Sequence, residues 1–268
     1  SYAALKNINL EIPEGKVTAI IGETGSGKST LVQHLNALLL PSEGELEILD
    51  KKIIAKEKNK NLKELRKQVG LVFQFPEYQL FEETIEKDIA FGPKNFGIDE
   101  EEAHKIAKDM LDLVGLDESY LKRSPFDLSG GQKRRIAIAG ILAMDPSVLV
   151  LDEPTAGLDP QGAKDMMQLF VRMNKEFHKT VLIVTHDMEH VLSYCDEVVV
   201  VKDGQIEKQW DGTTFFENLD LLQELRINPP AIIRLREELR KKGFSIDSSI
   251  VDIKELAKAV AKEVKTHE

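Results

Sequence analysis

Val17-Thr18-Ala19-Ile20-Ile21-Gly22-Glu23-Thr24-Gly25-Ser26-Gly27-Lys28-Ser29-Thr30 is the stretch on which the reading of the whole chain turns. Its first five residues form a short β-branched run that ends at a glycine, and the residues after Lys28 read as a helix. The spacing between them, G-x-x-x-x-G-K-[ST], is that of a phosphate-binding loop set between a strand and a helix. Glycines let backbone N–H groups turn inward around phosphate oxygens, and the helix N-terminus adds its partial positive charge. Lys28 suits the β- and γ-phosphates of a nucleotide, and the Ser29 hydroxyl suits Mg²⁺. Gly22, Glu23, Thr24, Gly25, Ser26, Gly27, Lys28, Ser29 and Thr30 are therefore candidate nucleotide-binding residues.

Working outward, Val69–Phe73, Val148–Leu151, Val181–Thr185 and Val198–Val201 are further apolar runs. Strands this uniformly apolar read as buried on both faces, in a parallel sheet covered by helices. Helical stretches lie between them at Ser29–Leu39, Glu100–Val114, Gly131–Met144, Gly162–Glu176 and Glu189–Ser193, which gives the alternation of an α/β fold. Leu46–Leu49 and Gln205–Gln209, each beside a turn, read as shorter antiparallel pieces. There is no internal repeat and no low-complexity tract.

The formal net charge is -10, a poor match for nucleic acid, whose affinity comes mostly from phosphate neutralisation. Residues 212–268 carry ten acidic and ten basic side chains, so the acidic excess sits in 1–211. Composition shifts near Gly212. Beyond Pro229-Pro230, amphipathic helices are expected at Ala231–Lys242 and Ile253–Val264, either as a packing extension or as an oligomerisation element. Cys195 is the single cysteine, which excludes an intrachain disulfide and points to a reducing, cytoplasmic compartment. No apolar run approaches the ~20 residues that span a bilayer, and the chain opens without a secretory signal. Any membrane role is thus expected to come through a partner.

Ser147–Leu151 leads directly into Asp152-Glu153. A carboxylate at the C-terminal end of a buried strand faces the crevice where open α/β sheets bind ligands. Asp152 is the candidate Mg²⁺ ligand, direct or through water, and Glu153 would aim at the water that attacks the γ-phosphate. His186, just past the run Val181–Thr185, would either hydrogen-bond the γ-phosphate or orient that water. His34, His104, His178, His190 and His267 read as residues of helix faces, loops or the tail.

Leu128-Ser129-Gly130-Gly131-Gln132 opens a second helix with two glycines, making a second anion-ready terminus in one chain. One nucleotide does not need two γ-phosphate sites from one domain, but a head-to-tail pair does. Together with the phosphate loop, Asp152-Glu153 and His186, this pentapeptide resembles the ATP-binding cassette (ABC) ATPases over residues ~5–211. The resemblance implies a P-loop NTPase (RecA-like) core with an antiparallel β edge and a helical signature subdomain at about 75–146. A C-terminal helical extension would follow over 212–268. It also implies that Leu128–Gln132 acts on the partner's ATP and that Gly157, Leu158 and Asp159 form the D-loop at the dimer interface. Gln74 would be the Q-loop glutamine, a contact to Mg²⁺ (with Ser29 and Asp152) and to the attacking water. The family usually stacks an upstream aromatic on adenine. Here either Tyr2 belongs to that region or the natural N-terminus precedes Ser1.

Phe73-Gln74-Phe75-Pro76-Glu77-Tyr78-Gln79-Leu80-Phe81, Gln33–Asn36 and Lys133–Gly140 are similar to the ATPases of energy-coupling-factor transporters, more to the second of their two paralogues. That resemblance implies ATP and Mg²⁺ as cofactors and a heterodimer with a second homologous ATPase. It further implies a transmembrane coupling subunit and an exchangeable membrane substrate-binding subunit. The chain would then sit peripherally on the cytoplasmic face of the membrane and power uptake of vitamins or transition-metal ions. Phe75, Tyr78, Leu80 and Phe81 read either as lobe packing or as a groove for a helix of the coupling subunit. The alternatives are the ATPase of another ABC transporter class, or an ABC switch with no membrane partner.

Overall fold

The apolar runs become the centre of a six-stranded sheet in the computed structural model, which describes residues 3–59 and 61–266. The strands are β1 (Val17–Ile21), β4 (Val69–Val72), β5 (Val148–Asp152), β6 (Thr180–Val184), β7 (Glu197–Lys202) and β8 (Gln205–Asp211), with β2 (Glu45–Ile48) and β3 (Lys51–Ile54) paired separately. The order across the sheet is β4-β5-β6-β1-β7-β8. All neighbours are parallel except β7 and β8, which form an antiparallel edge. Every residue of β1, β4 and β6 is buried, as sheets covered on both faces require. Parallel pairing brings the C-terminal ends of β4, β5, β6, β1 and β7 to one edge, where Gln74, Asp152-Glu153, His186 and the loop from Gly22 all lie.

The helices are α1 (Lys28–Leu35), α2 (Leu62–Gln68), α3 (Ile85–Asn95), α4 (Glu100–Leu113), α5 (Gly130–Leu142), α6 (Pro160–Lys175) and α7 (Met188–Tyr194). The tail adds α8 (Gly212–Phe215), α9 (Leu219–Glu224), α10 (Ala231–Lys241) and α11 (Ile253–Thr266). α3, α4 and α5 form a helical lobe whose Ile85, Ile89, Ala107, Leu111, Ile136 and Ile138 share one core with β5 and α6. On the other sheet face, Leu31 and Val32 of α1 pack with β6, β7 and the irregular segment Leu5–Ile12. Residues 3–16 form no strand, although the Lys6 amide donates to the Gly204 carbonyl. Tyr2 and His267 lie outside the described residues.

α1 stops short of the predicted Leu39. Asn36 ends it by accepting from the Leu38 amide at 3.0 Å, Ala37 takes a left-handed φ of 55°, and Leu38, Leu39 and Leu40 are left exposed. α2 and α3 were not predicted individually. The tail lies against the sheet: Phe215, Phe216, Leu222 and Ile233 are fully buried in a cluster with Ala19 and Ile21 of β1 and Val198 and Val200 of β7. Among the described residues no helix is long and apolar enough to cross a membrane.

Candidate functional site

The loop after β1 is shaped by its glycines. Gly22 has φ 151°, and a Cβ there would lie 2.1 Å from the Val201 carbonyl oxygen, so only glycine lets the loop leave the sheet this close to β7. Gly27, at φ 106°, stands at the N-cap of α1, and no side chain caps the helix. Its first N–H groups therefore remain available to an anion. Lys28 folds back across the loop and donates from Nζ to the carbonyls of Gly22 at 2.7 Å and Glu23 at 2.8 Å. Burial lowers the Lys28 pKa, and the charges of Glu153 and Asp152 oppose that shift. The Ser29 side chain is exposed beside Lys28.

Asp152 ends β5 in register with Val184 of β6 and is buried. Glu153 follows with φ 50°, a strained conformation for a residue with a Cβ, while its amide still bonds the Val184 carbonyl at 2.9 Å. His186, two residues past β6, brings Nδ1 to 3.0 Å from Glu153 Oε1 and leaves most of its ring exposed. Gln74, two residues past β4, is exposed on the same sheet edge, since Val72 pairs with Leu151. Parallel register thus brings together the phosphate loop, Asp152, Glu153, His186 and Gln74 from four separate strands. A cavity of about 550 Å³ lies beside the loop, lined by Gly22, Glu23 and His186 on one side and by tail residues 224–230 on the other. The Ala231 amide donates to Glu189 Oε1 at 2.7 Å at its far end.

The signature pentapeptide is organised differently. Leu128 is anchored against the helical-lobe core. Ser129 is the N-cap of α5, and Ser129 and Gln132 form a reciprocal capping box. Gln132 also donates to the Tyr120 hydroxyl at 3.2 Å. The polar side chains are thereby occupied with their own helix. Gly130 and Gly131 are helical and would have nothing within 4 Å of an added Cβ, so nothing in the chain itself requires them to be glycine. In the segment after β5, Gly157 takes φ 74° and Asp159 caps α6 by accepting from the Gly162 amide at 2.8 Å. Leu158 packs on the core.

The segment after Gln74 is mostly an exposed aromatic surface. Phe75, Tyr78 and Phe81 are exposed, Tyr78 the most at 84%, and Phe81 meets Phe91 edge-on at 4.8 Å between centroids. For Leu80 the structure decides between the two readings: it is buried in the helical-lobe core with Ile85 and Ile89 and does not line an outward groove. Asp88 ties that turn down by accepting from the Phe81 and Glu82 amides. Two residues not singled out from sequence, Glu77 and Arg134, form a buried ion pair here. A signal was present: a cation in the first turns of α5 sits against the helix dipole and calls for a compensating partner.

Residues 5–156 match the family model described as ABC transporter. The chain is 55% identical over 261 residues to the energy-coupling factor transporter ATP-binding protein EcfA2 of Enterococcus faecalis, covering 97% of this chain and 90% of that protein. It belongs to the ABC transporter family, in its energy-coupling-factor ATP-binding branch. The EcfA2 protein of Spiroplasma kunkelii is likewise 55% identical, with 97% of this chain and 86% of that protein covered. Among solved structures, cbiO1 from Clostridium perfringens, part of the ABC transporter complex cbiONQ, superposes with a TM-score of 0.73 at 41% identity, covering 87% of this chain and 92% of that one. The ATP-binding cassette MJ0796, in a dimeric post-hydrolysis state bound to ADP and Pi, gives 0.69 at 34% identity over 78% of this chain and 90% of that one. The expected α/β cassette with its parallel sheet agrees with these neighbours.

Proposed function

We propose that this chain is the ATP-hydrolysing subunit of an energy-coupling-factor importer, working in a head-to-tail pair with a second, homologous ATPase on the cytoplasmic face of the membrane. One observation carries the pairing. A helix terminus bearing Gly130 and Gly131 faces open space with no internal reason for glycine, while the phosphate loop belongs to a different lobe. Backbone that approaches closely and is not used at home is suited to a phosphate held by another chain. We assign residues 1–211 to the cassette, with a helical lobe at about 75–146, and residues 212–268 to the extension.

ATP lies with its phosphates against the loop amides and Lys28. Oxygen donors suit Mg²⁺, and Ser29, Asp152 and Gln74 supply a hydroxyl, a carboxylate and an amide oxygen around that position. No group of three His, Cys, Asp or Glu among the described residues forms a complete metal cage. A metal that takes its remaining ligands from phosphate and water needs none. When bound, Mg²⁺ neutralises phosphate charge. Glu153 positions the attacking water and takes up its proton, with His186 held against Glu153; the water oxygen bonds to the γ-phosphorus as the bond from that phosphorus to the β-phosphate oxygen breaks, leaving ADP and inorganic phosphate. The LSGGQ terminus of the partner completes the site, and Gly157–Asp159 lies at the interface. Phe75, Tyr78 and Phe81 form the surface for a helix of the membrane coupling subunit. A separate membrane subunit then selects the cargo, a vitamin or a transition-metal ion.

The test is purification of the native complex with measured phosphate release. Glu153→Gln should retain ATP and lower turnover about 10²–10⁴-fold. Ser129→Arg should block hydrolysis at the partner's nucleotide. Full hydrolysis in either variant, or a native complex free of membrane subunits, refutes the assignment.

A further inference from the structure

Arg134 stands on α5, five residues past the N-cap Ser129, and its guanidinium is buried, with 3% of the side chain exposed. Nε and Nη2 donate to both oxygens of Glu77 at 2.9 and 2.7 Å, a bidentate pair. Nη1 donates to the Ala156 carbonyl at 2.6 Å and to the Pro154 carbonyl at 3.4 Å. The guanidinium lies 5.5 Å from the Phe75 ring centre. One side chain thus holds the segment after Gln74 on one side and the segment after Glu153 on the other.

The second of these segments is a turn that begins at the strained residue. The Ala156 amide bonds the Glu153 carbonyl at 3.1 Å, so Arg134 grips the far end of the turn whose first residue has φ 50°. A strained backbone persists only where its surroundings over-determine it. Phe75 adds a second link, since a Cβ on Gly157 would lie 3.4 Å from its ring. Burial pushes the Glu77 carboxyl upward, and the bonds from Arg134 outweigh this and keep its pKa below the ordinary value.

We propose that Arg134 is a positioning residue that transmits movement of the Phe75–Phe81 surface to Glu153 by fixing the Glu153–Ala156 turn. A membrane subunit seated on that surface would shift Glu77, and Arg134 would carry the shift to the carbonyls beside the hydrolytic carboxylate. This rests on the roles proposed above for Glu153 and for the aromatic surface.

The intact complex, purified with its second ATPase and membrane subunits, is assayed for ATP turnover against ATP concentration. Hydrogen exchange over residues 73–81 is followed with and without Mg²⁺ and the non-hydrolysable analogue AMP-PNP. Arg134→Met should lower kcat about 10–100-fold, as for displaced catalytic groups. It should leave KM for ATP within about twofold, since the phosphate loop is untouched. The AMP-PNP-dependent change in exchange at 73–81 should disappear. Arg134→Lys, with one ammonium for two sets of acceptors, should fall between. Where the lone Glu77 charge unfolds the single variant, Glu77→Leu with Arg134→Met removes both charges and should show the same kinetics. Wild-type kcat with the exchange response retained, or a loss confined to KM, overturns the proposal. The unaltered complex and its Glu153→Gln variant run alongside: no turnover in the former, or full turnover in the latter, overturns the hydrolytic reading and this proposal with it. A normal Glu153→Gln result with wild-type Arg134 variants overturns this proposal alone.

Discussion

Gly131→Ala separates what the signature does for its own chain from what it does for another. Gly131 lies in the first turn of α5 at an ordinary helical φ, and a Cβ there meets nothing within 4 Å. Alanine at such a position restricts the unfolded chain and fits the helix without strain, which stabilises by about 0.4–1 kcal/mol. For a chain of this size each kcal/mol moves Tm by about 2–4 °C, so a rise of about 1–4 °C is expected. The capping box is unaffected, because it uses the Ser129 and Gln132 side chains and the amides of the same two residues. Function should move the opposite way. If the backbone here approaches a phosphate on the partner ATPase, a methyl group stands where that phosphate must come, and turnover of the pair should fall about 10²-fold, the loss typical of one phosphate-directed donor. ATP binding to this chain should not change, because the phosphate loop lies in the other lobe. The assay is a thermal melt of the purified chain, nucleotide binding by titration, and phosphate release by the assembled pair. Undiminished turnover with the methyl in place would refute the trans-acting role, and a lowered Tm would refute the claim that nothing in the chain itself needs this glycine.

Gly22→Ala is the contrasting change: its Cβ would lie 2.1 Å from the Val201 oxygen, so a loss on the order of 3 kcal/mol is expected by urea denaturation, together with loss of nucleotide binding. Chelation by EDTA should weaken ATP binding markedly in a calorimetric titration, because the charges of Asp152 and Glu153, which act on Lys28, would repel the phosphates unless a divalent cation offsets them. Tyr78→Ala should leave Tm unchanged, since the ring is 84% exposed, but should reduce recovery of membrane subunits on co-purification. Burial pushes the Cys195 thiol from 9.0 up to about 12, so a thiol reagent at pH 8 should label it slowly in the native protein and rapidly in urea. The sign of the linked effect follows: the unfolded thiol ionises first as pH rises above 9.0, so stability should decline from there toward about pH 12, measurable as a falling urea midpoint.

Local chemistry is what made the site legible. The phosphate loop, Asp152-Glu153 and the signature are short motifs whose meaning lies in adjacent residues, and β-branched runs set β1, β5 and β6 to within a residue at each end. α3 carries Gly92 and Pro93 near its end, residues unfavourable inside a helix, and Gly92 is there to admit Met144, whose sulfur would lie 2.5 Å from a Cβ. β3 escaped prediction because Lys51-Lys52 diluted its apolar signal. Leu80 stays open between packing and a groove in the sequence because a run of apolar residues does not say which of them turns inward; the packing of the helical lobe decides that. For Arg134 the sequence signals the need of a partner but not its identity: Glu77 is 57 positions away, and the two meet only when α5 packs against the segment after β4.

The net charge of -10 shows the same division between what is summed over the chain and what is placed by the fold. A polyanionic ligand would be disfavoured by the sum. The site is nevertheless built from groups whose charge is local: uncapped amides at the start of α1 and one ammonium. That ammonium is held on the carbonyls of Gly22 and Glu23, acceptors that are neutral and exchangeable for phosphate oxygens. The two carboxylates whose charges act on Lys28 are the same two proposed above to handle metal and water, so their repulsion of a phosphate would be offset by a bound cation. On the function proposed above, acidity at the sheet edge would make nucleotide binding depend on Mg²⁺.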